Sequence, residues 1–276
     1  MANVLSAEDV EKFNELGYCG PFQAFSTDEI GALRGRIETF ERKHPEGVGK
    51  LYQGPHLIFP WLYDLLSRPA MIEPCADLLG PNLLCNSVGF RIKEPGTGTF
   101  VGWHQDKFYA PYNPILIVCL LHFTDQTAEH GCLHLVPGSQ KWGVLDHEET
   151  DNDDNLLTRK QRIRTPFDEM LAVAVPARAG DITLFNHAVI HGSPPNRSKE
   201  RRINMLADMV PPNSVRPGRR EAAVVVRGVD TLNLYDHEER PKDDYGPLSI
   251  ARHREAIGVR NEMSYAGSKK VSPALL

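Results

Sequence analysis

The chain has 276 residues, 41% of them hydrophobic and 24% charged, which suits one large domain or two small ones with a sizeable core. A net charge of −5 argues against a sequence-independent grip on nucleic acid. No apolar run approaches the roughly 20 residues that span a bilayer, and Met1-Ala2-Asn3-Val4-Leu5 puts no basic segment ahead of an apolar one. A cytoplasmic protein with no nucleic-acid or membrane partner, monomeric or homodimeric, is therefore expected.

Ser6-Ala7-Glu8-Asp9 opens a helical pattern with Val10, Phe13 and Leu16 on one face, and Gly17 stops it. Ser26 and Glu29 fit a capping box for a second helix, whose buried stripe is Ile30, Leu33, Ile37 and Phe40 and which closes at Pro45. Tyr52 to Trp61 has no clear period and reads as loop. A further helical pattern runs from Asp64 to Leu79 and ends at Gly80-Pro81. After Pro81 the spacing becomes strand-like. Leu83 to Lys93, Phe100 to Phe108, Ile115 to Phe123, Cys132 to Val136, Leu171 to Pro176, Asp181 to Phe185 and Arg202 to Met209 read as strands between turn clusters. The Ile115 to Phe123 run is apolar enough to be buried on both faces. Asp146 to Asn155 is densely acidic, a surface loop or a lid. From Pro211 the chain is rich in Pro, Arg, Asp and Glu, with a terminal helix around Pro247 to Ala256 and a loose extreme C-terminus. Cys19, Cys75, Cys85, Cys119 and Cys132 form an odd set without CxxC spacing and read as reduced, buried thiols.

These elements predict an α+β protein with an antiparallel sandwich- or barrel-like sheet part. One domain is expected over 1–276, with a helical part to about 80, a barrel core to about 210 and a C-terminal extension beyond.

The chemistry is read from Gly102-Trp103-His104-Gln105-Asp106. On a strand, His104 and Asp106 point to the same face. A distant second imidazole, His191, would complete a 2-His-1-carboxylate triad of the kind that holds ferrous iron and leaves positions open. Arg202 is read as the only fixed cation on that face, suited to a bidentate grip on a carboxylate. A metal triad beside such an arginine is what a chelating 2-oxo acid requires.

Trp103-His104-Gln105-Asp106, Glu129-His130-Gly131-Cys132-Leu133 leading into Val136-Pro137-Gly138-Ser139, then His191-Gly192-Ser193, Asn196-Arg197-Ser198 and Arg201-Arg202 resemble the phytanoyl-CoA dioxygenase family over roughly Leu83 to Val210. The resemblance implies a double-stranded β-helix, a jelly-roll and cupin-like core, flanked here by the N-terminal helices. It implies an Fe(II)- and 2-oxoglutarate-dependent dioxygenase using O2, with iron on His104, Asp106 and His191. Arg202 and Ser193 would hold the distal carboxylate of 2-oxoglutarate, and the neighbouring Arg201 would face solvent. Asn86 or Ser87 would line the pocket near the cosubstrate, with Tyr109 over it. Where relatives carry Trp in the strand aligned with Leu120 and a small residue at His122, this chain departs, so His122 would project into the barrel toward substrate. Lys107 is a weaker substrate candidate, expected to point away unless a loop re-aims it. His56, His130, His134, His147 and His187 are not read as ligands.

The retained carboxylate at Asp106 points to oxygenation rather than halogenation. No side chain is assigned as a separate acid or base. The expected reaction is oxidation, most simply hydroxylation, of an unactivated C–H in a natural-product intermediate or a small polar or anionic metabolite, an organophosphonate included, with release of succinate and CO2. The rival readings are a non-oxidative cupin-type metal enzyme and a non-catalytic ligand-binding barrel.

Overall fold

The computed structural model describes residues 4–218, 220–265 and 268. The extreme C-terminus and the first three residues, on which two of the expectations above fall, lie outside the described residues.

Helix α1 (Ala7–Leu16) and helix α2 (Thr27–Lys43) start as their sequences dictate. Ser6 with Asp9, and Ser26 with Glu29, each exchange side-chain and backbone hydrogen bonds, which satisfies amide groups that a helix start leaves open, a contribution of about 1 kcal/mol per cap. Between them runs strand β1 (Tyr18–Gln23). The aperiodic stretch that follows is not loop throughout. It holds 3-10 turns at Pro45–Tyr52 and Pro55–Leu57 and the start of α3 (Pro60–Leu65), while the helical pattern expected from Asp64 to Leu79 is split between the end of α3 and α4 (Pro69–Leu79); Pro55, Pro60 and Pro69 sit at first-turn positions where a missing N–H costs nothing.

The strands are β2 (Leu83–Lys93), β3 (Val101–His104), β4 (Ile117–His122), β5 (Leu133–Leu135), β6 (His147–Glu149), β7 (Gln161–Ile163), β8 (Val173–Val175), β9 (Asp181–Asn186), β10 (His191–Ser193), β11 (Arg202–Val210), β12 (Ala222–Arg227) and β13 (Asp236–His237). Two more helices interrupt or follow them, α5 (Asp106–Tyr109) and α6 (Pro247–Ser264). A large sheet in the order β1-β9-β4-β11-β2-β12-β13 faces a small sheet in the order β3-β10-β5-β8, and β6 and β7 form a separate hairpin. Apart from the parallel β12–β13 pair, these ladders are antiparallel. The architecture is an α+β jelly roll.

Period-two alternation sorts each strand of the large sheet. On β11, Ile203, Met205, Ala207 and Met209 join Phe90, Ile92, Cys119 and Leu121 in the core shared with α2 and α4. Arg202, Asn204, Leu206 and Asp208 then face the space between the sheets, and with them their cross-strand partners Lys93, Arg91, Gly89 and Ser87 on β2. A second core, containing Leu84, Val118, Leu120, Leu135 and Phe185, fills one end of that space. The polar residues described next share the same space. All five cysteines are free and buried, and no helix among the described residues is long and apolar enough to cross a membrane.

Candidate active site

β3 ends at His104, so the two sequence-near candidates do not share a strand. Gln105 nevertheless keeps an extended backbone (φ −120°, ψ 124°) before the chain turns into α5 at Asp106. Alternation therefore persists for one more step and returns Asp106 to the side of His104. His191 opens β10 and is the direct cross-strand partner of His104, with ring centroids 4.1 Å apart. His104 Nε2 lies 3.3 Å from Asp106 Oδ1 and His191 Nε2 lies 3.6 Å from Oδ2. One donor atom from each of the three falls within 4.8 Å of the others, the one such group among the described residues.

The histidine tautomers are set by the backbone. His104 Nδ1 faces the carbonyls of Gly102 (2.9 Å) and His191 (3.1 Å), and His191 Nδ1 faces that of Val189 (3.0 Å). Each Nδ1–H donates to a carbonyl, which leaves the Nε2 lone pairs turned toward Asp106. Burial, then the neighbouring His104, pushes His191 down to about 4. Burial pulls the Asp106 carboxyl upward, but His191 and then His104 hold it well below the usual carboxylate range. Neutral imidazoles around an ionised carboxylate form the donor set that a divalent cation takes without first displacing protons.

The motifs around the triad are its scaffold. The Ser139 hydroxyl accepts from the Ile190 N–H (2.8 Å) and donates to Val136 O (2.6 Å), fixing the residue before His191. Buried Gln105 ties Gly143, Leu145 and Ala188 to the loop between the ligand candidates. Gly131 has φ +65°, and a Cβ there would lie 2.2 Å from Pro194 O, so glycine allows its turn to pack on the segment after His191. Asn196 donates to Lys93 O (3.1 Å) and Glu200 O (2.7 Å), which brings the start of β11 beside the end of β2.

Beyond the triad two buried basic side chains, rather than one, converge on Ser193. Arg202 donates from Nε to Gln126 Oε1 (2.9 Å) and from Nη1 to Ser193 Oγ (3.1 Å). Lys93 donates to the same Ser193 Oγ (2.6 Å) and to the carbonyls of Ser193 (2.9 Å) and Pro194 (2.6 Å). Among the described residues no carboxylate pairs with either cation. Burial, then Arg202, pushes Lys93 down to about 6, and burial pushes Arg202 down to about 10. Two cations drawn out of water without a counter-charge are costly unless an anion joins them. The expectation that Arg202 is the only cation on this face is thus corrected by Lys93, its partner across β2 and β11. Arg201 does face outward, with two hydrogen bonds to Glu41 and two to Glu94.

On the other side of Asp106 the barrel opens into a cavity of about 220 Å³ that Asn86, Ser87, Arg91, Tyr109 and Asp208 help to line. Asn86 donates to Tyr112 Oη, and the Arg159 guanidinium lies over the Tyr109 ring at 4.8 Å. His122 does project inward, but beside Gln126 and Asn204 rather than into this cavity. It bonds to Thr183 Oγ1 (2.9 Å), and burial pushes it down to about 3, so it is neutral. Lys107 does not reach the cavity, because its N–H bonds to His187 O as α5 turns away. His56 is bound to Glu238, His130 to Thr127, His134 to Cys132 O, His147 to Leu145 O and His187 to Tyr112 O. Lys93, Gln126, Arg91 and Asp208 escaped the sequence reading. Period two was the available signal: Arg91 and Lys93 alternate with Phe90 and Ile92, as Asp208 does with Met209 and Ala207.

A family profile described as phytanoyl-CoA dioxygenase (PhyH) matches residues 13–204. A probable alpha-ketoglutarate-dependent hypophosphite dioxygenase of Stutzerimonas stutzeri is 26% identical over 72% of this chain and 77% of its own. The ectoine dioxygenase of Bordetella parapertussis is 23% identical over 85% of this chain and 89% of its own. Among solved structures, the apo form of the non-heme monooxygenase ThoJ superposes with a TM-score of 0.83 at 25% identity, covering 93% of this chain and 97% of that one.

Proposed function

The chain belongs to the phytanoyl-CoA dioxygenase family and is an Fe(II)/2-oxoglutarate-dependent dioxygenase, and from that premise we propose that it hydroxylates an unactivated C–H of a small polar or anionic metabolite. In this reading His104, Asp106 and His191 hold Fe(II), and Arg202, Lys93 and Ser193 hold the distal carboxylate of 2-oxoglutarate. The observation that carries it is a His–Asp–His set next to a buried lysine and arginine that share Ser193 and, among the described residues, pair with no carboxylate. The donor set fits a divalent metal that must keep open positions, and the cation pair fits a carboxylate.

Bound Fe(II) with 2-oxoglutarate supplies the oxidising power: O2 gives one oxygen atom to succinate, with loss of CO2, and the other to the substrate C–H. The chain's own residues do the positioning. Backbone carbonyls hold both imidazoles in one tautomer, and Ser193 aligns the two cations. Phe185 packs against the His191 ring (centroids 4.7 Å apart) in the apolar cluster it shares with Leu120 and Val118. Gln126 and His122, neutral and buried, complete the cosubstrate end, while Ser87, Asn86 and Tyr109 border the substrate end.

The cavity is too small for a long acyl chain and carries several charged groups, which favours a compact polar substrate; a natural-product intermediate or an organophosphonate of that size fits it. Purified protein with Fe(II), 2-oxoglutarate and O2, given a panel of small metabolites, should release succinate above its substrate-free rate for some member. That compound should gain the mass of one oxygen. Turnover that needs neither 2-oxoglutarate nor O2 would sink the proposal.

A further inference from the structure

The mouth cavity carries two charged side chains, Arg91 and Asp208, that attract one another without a direct ion pair. β11 is paired on both sides, by β2 and β4, yet Leu206 and Asp208 are only partly buried, as are Ser87 and Arg91 on β2. Their exposure comes from the cavity they line. A carboxylate in the middle of a central strand is costly unless something pairs with it. No hydrogen bond or ion pair reaches the Asp208 side chain from the described residues. Burial, then the nearby Asp106, pushes its carboxyl up to about 7 against the pull of Arg91 and Arg260.

Arg91 is its opposite number. Its Nη1 donates to the carbonyls of Phe90 (2.9 Å) and Tyr52 (3.4 Å), which leaves Nε and Nη2 without an acceptor among the described residues. The guanidinium lies over Gly89, with Nη1 3.4 Å from where a Cβ there would be. Gly89 pairs with Leu206, and Ser87 with Asp208, so the cation reaches along the inner face to within one cross-strand pair of the carboxylate without meeting it. Of the other arginines at the mouth, Arg216 pairs with Glu221 (3.9 Å) and Arg159 with Glu149 (3.6 Å), while Arg260 binds Glu238 through Nη2 (2.6 Å) and leaves its buried Nη1 unpartnered.

The geometry points to a zwitterionic substrate, an amino acid or an aminoalkylphosphonate, whose anionic group binds Arg91 and whose cationic nitrogen binds Asp208 beside the triad. This rests on the dioxygenase reading above and names its substrate class. The pairing satisfies both stranded charges at once, with charge-assisted hydrogen bonds in a site shielded from bulk water. A simple acid leaves Asp208 unpaired and a simple amine leaves Arg91 unpaired, which a polar site penalises heavily.

The test separates the two layers. Protein loaded anaerobically with Fe(II) and 2-oxoglutarate is first checked for the visible charge-transfer band of that complex, and failure to form it would overturn the dioxygenase reading itself. The loaded protein is then titrated with L-amino acids, betaines and aminoalkylphosphonates, and with their desamino acids and decarboxylated amines. At least one zwitterion should perturb the band, with an affinity at least ~100-fold above both of its fragments. In Asp208→Asn the preference for that zwitterion over its desamino acid should fall to within ~5-fold, and in Arg91→Gln its preference over the amine should fall likewise. The proposal is overturned if no zwitterion perturbs the band, if a fragment binds as well as its parent, or if both variants keep the wild-type preferences.

Discussion

The two ends of the barrel interior are built on the same pair of strands and have opposite electrostatics. At the closed end, Lys93 on β2 and Arg202 on β11 face each other, both buried and both basic, with Ser193 and Gln126 as neutral partners. At the mouth, Arg91 and Asp208 on the same strands carry opposite signs and remain partly open. A pocket of one sign fits one invariant ligand, a dicarboxylate whose far end always carries the same charge. A mouth of both signs fits a bifunctional molecule and can be retuned by single substitutions without touching the cosubstrate. The triad sits between, with His104 and His191 on the small sheet and Asp106 at the start of α5.

The contrast can be broken at several points. His104→Ala or His191→Ala removes one donor of the shared centre, and succinate release should fall at least ~1,000-fold, together with loss of tight Fe(II) binding by equilibrium dialysis. Arg202→Met should act on the closed end alone, raising the KM for 2-oxoglutarate ~100-fold or more while leaving metal binding intact. Steady-state kinetics with varied 2-oxoglutarate would reveal a wrong assignment as an unchanged KM. Gly89→Ala acts on the mouth: the new Cβ would lie 2.4 Å from Tyr52 O, a backbone clash costing about 1–3 kcal/mol. Its KM for substrate should rise while that for 2-oxoglutarate moves little.

Acid should weaken the fold through histidines away from the metal. Burial holds His122 at about 3 and His253 at about 4, below the ordinary value near 6.5. Between these limits the unfolded chain binds more protons than the native one, so their contribution is complete above about pH 6.5 and is lost as pH falls toward 4. Urea midpoints from pH 7 to pH 5 should register a loss approaching ~1.4 kcal/mol per pH unit for each of the two. A flat profile would show that these rings are not held neutral. The smallest effect belongs to Arg201→Ala. This residue adjoins Arg202 but is tied to Glu41 and Glu94 outside the barrel, and its loss should change the KM for 2-oxoglutarate less than ~2-fold.

What could be read beforehand follows the same division. Helix starts at Ser6 and Ser26, and the long strands, are local or periodic features, and these elements lie where their patterns put them. Three separated motifs in order led to the family. The Tyr52 to Trp61 stretch read as loop because its short turns are set by Pro55 and Pro60 and by packing, with no period of their own. β1 and β12 were missed because each is completed by partners far away in sequence, β9 for one and β2 for the other. Lys93 closes a strand just before the turn-rich Pro95-Gly96, where a lysine ordinarily reads as a solvated end. Only its cross-strand neighbour, Arg202, shows that it is inside. The same holds for Arg91 and Asp208, since strand alternation fixes a face without saying whether a cavity lies in front of it.

The most direct test supplies the protein with Fe(II), 2-oxoglutarate and isotopically heavy O2, and follows the label into succinate, wild type beside His191→Ala. Succinate carrying one heavy oxygen, formed only when all three are present and abolished in the variant, is the result predicted here. Unlabelled succinate, or turnover that survives without O2 or without His191, would contradict the assignment of His104, Asp106 and His191 as the reactive centre.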